Sequence, residues 1–219
     1  MSSIRDQHSF WGNLSPLGGL SGAGLLIMAT ARLSWAITIA GCLFWVYGLT
    51  VIAFSLLCSS GKKIFPAQGR SLIFTCLASF FGSLYLLMIW LLCPFAVFEV
   101  FLPLLLVPLY CAGSGIRERV ISEISHADVF DHVSEAASQA AVLAGILIAF
   151  SIIREPLSYC SLSFPGSAQG MVTIMYFNQG PFFPVGIFAP SAGALLLLGY
   201  FVCLYQYGKS VFFPGDVEK

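Results

Sequence analysis

Six apolar runs separated by short polar stretches set the pattern of the chain, at residues 17–31, 34–58, 71–92, 97–113, 135–153 and 185–205. A bilayer core of ~30 Å takes a helix of about 20 apolar residues. The 34–58 run is long enough to cross with some tilt. The 17–31 run is short and rich in glycine (Gly18, Gly19, Gly22, Gly24), and the 97–113 run is interrupted by Pro103 and Pro108. Arg32 sits in the tight connection between the first two runs, and Lys62, Lys63 and Arg70 mark the next connection. Cys93-Pro94 closes the third run, and Arg154-Glu155-Pro156 marks a sharp end to the fifth. A connection rich in Gly, Ser, Pro and aromatics leads to Pro184, and a polar tail begins at Lys209. The pattern predicts a single all-α polytopic membrane domain over residues 1–219, with six transmembrane segments.

The interrupted runs, one and four, each open a group of three. Short or broken segments at matching places in two halves point to an inverted 3+3 repeat, with the functional site where the breaks meet. Irregular backbone at that depth must be buried in protein or line a cavity. The stretch from Phe101 to Glu118 shows the feature most clearly: a proline-broken apolar run ends at Cys111 among small residues, then meets Arg117 and Glu118. It reads as a half-helix offering a side chain at its tip.

Composition agrees. The 219 residues are 58% hydrophobic and only 9% charged, against roughly 25% charged in a soluble domain. A surface that apolar needs lipid as its solvent. Formal net charge is zero, which argues against a nucleic-acid partner. The opening residues lack the charged-then-apolar-then-small order of a removable signal peptide. If all six segments cross, Arg5, Lys62, Lys63, Arg70, Arg117, Arg119, Lys209 and Lys219 share one side and only Arg32 and Arg154 the other. That asymmetry predicts cytoplasmic termini.

Candidate chemistry is sparse. The seven cysteines stand singly, without a CxxC pair, which argues against a zinc ribbon or a ferredoxin-type cluster held by this chain alone. Each reads either as a ligand or as a small buried hydrophobe. Glu99, between Phe98 and Val100, is an ion-path candidate if it lies within the membrane and a wetted residue if it lies at the interface. Arg154 and Glu155 are adjacent, so on a helix they need not face each other. Either pairs with another segment, or Arg154 anchors at the headgroups. His126 and His132, among Asp128 and Asp131, match no dedicated metal motif and read as a solvated loop. The aromatics suit lipid contact and interfacial belts. No phosphate loop, nucleophile elbow or zinc-protease helix occurs, and no catalytic residue is assigned.

Several stretches, taken in order, carry a resemblance: Trp11-Gly12-Asn13, Pro16-Leu17, Gly22 and Ala36-Ile37-Thr38; Cys111 with Gly115 and Glu118; Arg154-Glu155 with Tyr159, Ser161 and Leu162; and Ala189-Pro190-Ser191-Ala192. Together they resemble the membrane subunits of the Rnf/Nqr family. The nearest type is the E subunit of the Rnf electron transport complex and the D subunit of the sodium-translocating NADH:quinone reductase. The resemblance implies the inverted six-segment fold with half-helices at segments one and four, in a bacterial inner membrane. It implies a paralogous A-type partner (E-type in the quinone reductase), a [2Fe-2S] cluster shared with that partner through two cysteines from each subunit, and flavin-bearing and cytoplasmic redox subunits around them. No flavin is expected on this chain itself. Electron flow through the complex would be coupled to Na+ or H+ transport, so the chain acts as part of a redox-driven ion translocase and not alone.

Cys111 stands at the family's segment-four cysteine, but the segment-one position holds Gly24. Cys42 is the in-chain candidate for a replacement ligand. Two alternatives stand beside the electron-transfer reading: a cluster-free scaffold subunit of such a complex, and an unrelated inverted-repeat transporter.

Overall fold

The computed structural model describes Ile27 and residues 30–60, 67–113, 120–121, 129–166, 171–177 and 185–212. Helix α1 spans Leu33–Ser60, α2 Ala67–Leu92, α3 Pro94–Gly113, α4 Val129–Tyr159 and α5 Ser191–Phe212. A two-stranded antiparallel sheet, β1 (Ser161–Phe164) with β2 (Val172–Tyr176), follows α4. A single 3-10 turn, Gly186–Phe188, precedes α5. Among the described residues three helices are long and apolar enough to cross a membrane, over Leu33–Cys58, Gly69–Leu92 and His132–Tyr159. Shorter apolar helical stretches, Val100–Gly113 and Ser191–Phe201, lie in α3 and α5. The protein is thus mostly helical and compatible with a membrane fold. Most of the expected first segment lies outside the described residues.

Helix α1 is the hub and packs on α2, α3 and α4, most extensively on α4. Between apolar surfaces in lipid there is little hydrophobic drive to associate, so helices hold together by close packing and interhelical hydrogen bonds. Ala36 and Ala40 of α1 and Ala136, Ala140 and Ala144 of α4 are all buried, which lets the two backbones approach. Tyr85 of α2 donates its hydroxyl hydrogen to the Thr38 carbonyl of α1 at 2.9 Å. Phe54 and Phe74 meet edge to face, ring centroids 5.4 Å apart. Outward, α2 presents Leu72, Phe80, Leu84, Leu87, Trp90 and Leu91.

Four expectations differ from what is observed. Helix α3 runs without a break through Pro103 and Pro108. Each proline removes one intrahelical donor, and tertiary packing compensates: a Cβ on Gly82 of α2 would collide with the Pro108 ring, so glycine there lets α2 lie directly against the proline. Helix α4 does not stop at Arg154-Glu155-Pro156 but continues to Tyr159 and ends at Cys160, whose φ of 49° reverses the chain. The connection beyond it, expected as a loop, contains the short β1–β2 hairpin in an otherwise helical chain. His132 belongs to α4 and is buried, not in a solvated loop, while His126 lies outside the described residues.

Candidate functional site

The end of α4 holds the most polar buried site that the structure describes. Arg154 is 1% exposed and Glu155 is 1% exposed. A charged pair this deep is costly unless each group is well bonded. Arg154 meets that demand through backbone carbonyls. Its Nε donates to Phe188 O at 3.0 Å. Its Nη1 donates to Thr30 O at 2.9 Å and Ile27 O at 3.3 Å. Its Nη2 donates to Ala189 O at 2.9 Å and Pro190 O at 3.2 Å. The planar guanidinium fork suits this role, since five donors in fixed directions reach two backbone stretches at once. The headgroup-anchor reading of Arg154 is therefore overturned: the side chain is an internal staple.

Glu155 works at the other side of the same junction. Its Oε2 accepts the Leu33 backbone N–H at 2.8 Å. Leu33 is the first residue of α1, where amide hydrogens lack intrahelical acceptors and the helix dipole favours a negative charge. Its Oε1 is buried with no hydrogen-bond partner among the described residues. Ser163 of β1 donates to Ser34 of α1 at 3.3 Å, closing the hairpin onto the same helix start. Ser158 returns its hydroxyl hydrogen to the Arg154 carbonyl at 2.8 Å.

Three chain regions thus converge on two adjacent residues. The tight turn before α1 is held by both, the 3-10 turn and the start of α5 by Arg154, and β1 rests alongside. Gly193 is required for the α5 contact, because a Cβ there would strike the Ile187 carbonyl and Phe188 backbone. Arg32 lies in the same region, with its guanidinium 5.0 Å from the Tyr159 ring centre and 5.7 Å from that of Trp35, and it donates to the Met171 thioether. Both arginines that sequence placed apart from the other cations therefore sit at one end of the α1–α4 pair.

The remaining candidates are distributed differently. Cys111, near the end of α3, is wholly buried, and so is Cys42 on α1. The two belong to the same buried core cluster, where α1 packs on α3. Cys76 and Cys203 are exposed. Gly24, Gly115 and Glu118 lie outside the described residues, and of Glu99 only the helical backbone is described. Among the described residues no group of three or more His, Cys, Asp or Glu side chains is placed to hold a metal. Sequence reading missed the partners of Arg154 and Glu155, the Ser34–Ser163 contact and the burial of His132. Only the doublet itself, adjacent charges closing an apolar run, signalled the site.

No family model, curated protein or solved structure matches the chain.

Proposed function

We propose that this chain is an integral membrane subunit of an ion-translocating oxidoreductase of the Rnf/Nqr type, helping to carry electrons across a bacterial inner membrane with coupled Na+ or H+ transport. One observation carries the reading. Stretches of the resemblance that are remote in sequence are neighbours in space: Arg154-Glu155 bonds Ala189 and Pro190 on one side and the helix start leading into Ala36-Ile37-Thr38 on the other. A set of short likenesses that arose by chance has no reason to meet at one junction. On this reading the six segments form an inverted repeat with cytoplasmic termini, and a paralogous A-type subunit packs against the chain, with flavin-bearing and cytoplasmic redox subunits around the pair.

The family implies a [2Fe-2S] cluster, which would pass single electrons between redox partners. Thiolates are the right donors for iron. A cluster shared between two subunits needs those thiolates at the shared face. Here Cys111 and Cys42 are 0% exposed inside the chain's own core, and the described residues offer no third ligand. This donor set does not fit a shared cluster, and no step is derived through one. That burial favours a second reading, in which the chain is a cluster-free scaffold subunit of the same kind of complex.

Purification from native membranes tests both. Co-purification with flavin-bearing and A-type partners supports membership of the complex. Iron and acid-labile sulfide in that complex, lost in Cys111→Ala, support the electron-carrying role. An intact complex without iron leaves the scaffold role. A chain that purifies alone and moves a solute in liposomes overturns both.

A further inference from the structure

Buried polar atoms without partners collect on one helix pair. Thr50 Oγ1 and Ser55 Oγ of α1, and His132 Nε2, Ser151 Oγ and Glu155 Oε1 of α4, are buried with no hydrogen-bond partner among the described residues. The other such atom that is unpartnered, Trp45 Nε1, belongs to the α1 ring that meets Tyr85 of α2. Hydroxyls elsewhere in these helices return to their own backbone, Thr38 to Ser34 O at 2.9 Å and Ser158 to Arg154 O at 2.8 Å. Thr50, Ser55 and Ser151 do not, so their oxygens remain available to something outside the helix backbone. Unpaired polar atoms are costly in hydrocarbon, and ordered water is the usual partner for such buried groups.

Their positions form a file. On α4, His132, Gln139, Ser151 and Glu155 fall on one stripe of steps of three and four residues, through Ala136, Leu143 and Leu147. The Leu33–Glu155 bond sets the antiparallel register of α1 on α4. Counting equal rises from it brings Thr50 about level with Gln139 and Ser55 about level with His132. Ser34, Tyr47 and Gln139 are buried and polar on the same two helices. From His132 to Glu155 the helix rises about 35 Å, more than the ~30 Å hydrocarbon core. The file is interrupted between Ser151 and Tyr47 by small and apolar side chains, among them Ala40, Leu43, Ala144 and Leu147. Cys42 lies on α1 at that level, with Cys111 of α3 in the same buried core cluster.

We infer that the α1–α4 interface is a proton path: two hydrated half-files, ending at Glu155 on one side and His132 on the other, separated by an apolar constriction beside the two buried thiols. The end groups are the side chains that exchange protons, and hydroxyl and amide groups between them suit a water-borne relay. Among the described residues, the cations near Glu155 are already engaged. Arg154 is committed to five carbonyls and Arg32 to Tyr159, Trp35 and Met171, while β1 and the 3-10 turn bring no ionisable side chain. Near His132, Glu135 lies one turn on in α4, equal rises bring Cys58 of α1 about level with it, and Arg70 at the start of α2 is within electrostatic reach of Cys58. Only the coupling of this path to electron flow rests on the Rnf/Nqr reading, and the test below needs no partner subunit.

X-ray radiolysis of the full-length chain in lipid nanodiscs generates hydroxyl radicals from water bound inside a membrane protein. Tyr47 and His132 should be oxidised well above Phe54 and Phe74, which are equally buried, and Thr50→Val with Ser55→Ala should suppress that labelling. Labelling of Tyr47 and His132 no greater than that of the two phenylalanines overturns the path. For the other half-file, infrared difference spectra on a pH change should show a protonating carboxyl band that is lost in Glu155→Gln, whose amide oxygen still accepts the Leu33 N–H. A spectrum unchanged in that variant overturns the role of Glu155. Stoichiometric sodium-22 retained by the wild-type chain and lost in Glu155→Gln overturns the assignment to protons.

Discussion

Glu155 accepts the backbone hydrogen of Leu33 at 2.8 Å across a chain separation of 122 residues. The bond ties the end of one long apolar helix to the start of another and satisfies an amide that the helix cannot satisfy itself. Glu155→Ala leaves that amide unpaired in a buried setting, at a cost of about 1.5–3 kcal/mol. Glu155→Gln retains an acceptor and should cost less than half as much. Thermal unfolding of the two variants in the same detergent gives the comparison, and equal losses would mean that the carboxylate charge rather than the hydrogen bond holds the junction.

Arg154 is the larger contributor by geometry. Arg154→Met strands carbonyls in two backbone stretches and should cost more than about 3 kcal/mol, the size of one or two hydrogen bonds to a charged donor. Arg154→Lys restores the charge but only three donors from a single point, so it should recover a minor part. Protease accessibility around Pro190 should rise in both. Full recovery by lysine would show that charge alone suffices.

Gly82 and Gly48 make a matched pair. A Cβ at Gly82 meets the Pro108 ring, whereas one at Gly48 meets nothing within 4 Å. Gly82→Ala should destabilise by about 1–3 kcal/mol through overpacking. Gly48→Ala should be neutral, or stabilising by up to about 1 kcal/mol through lower backbone entropy in the unfolded state. Melting temperatures moving in the same direction would contradict the α2–α3 packing described above.

The cysteines divide into classes that thiol chemistry can read. Cys76 and Cys203 are exposed on the outer faces of α2 and α5, and Cys42 and Cys111 are wholly buried. A small membrane-permeant maleimide, followed by mass spectrometry of the folded chain, should modify the first two and leave Cys42 and Cys111 unmodified until denaturant is added. Rapid labelling of Cys111 in the folded chain would place it at a surface, as a ligand shared with another subunit requires, and would remove the objection to a shared cluster.

Residue types alone were enough to show apolar helices of membrane-crossing length and roughly where they lie. The 34–58 run became Leu33–Ser60 and the 71–92 run became Ala67–Leu92, because lipid as a solvent imposes a composition and a length that no tertiary contact needs to supply. Sequence also singled out Arg154 and Glu155, as adjacent charges that close the fifth apolar run and need either a partner segment or an interface. It did not say what they do. Their partners lie up to 127 residues away and are mostly backbone carbonyls, which leave no trace in side-chain identity. Local rules placed a break at Pro103, at Pro108 and at Pro156, and the helices pass through all three; at Pro108 the ring packs directly on Gly82 of α2, a contact no local rule anticipates. His132 read as a loop residue from its acidic neighbours and became part of a buried interface once α4 paired with α1. Lipid chemistry was legible in one dimension; which polar groups share an interface was decided by helix pairing, where each group's cost depends on what the other helix sets opposite it.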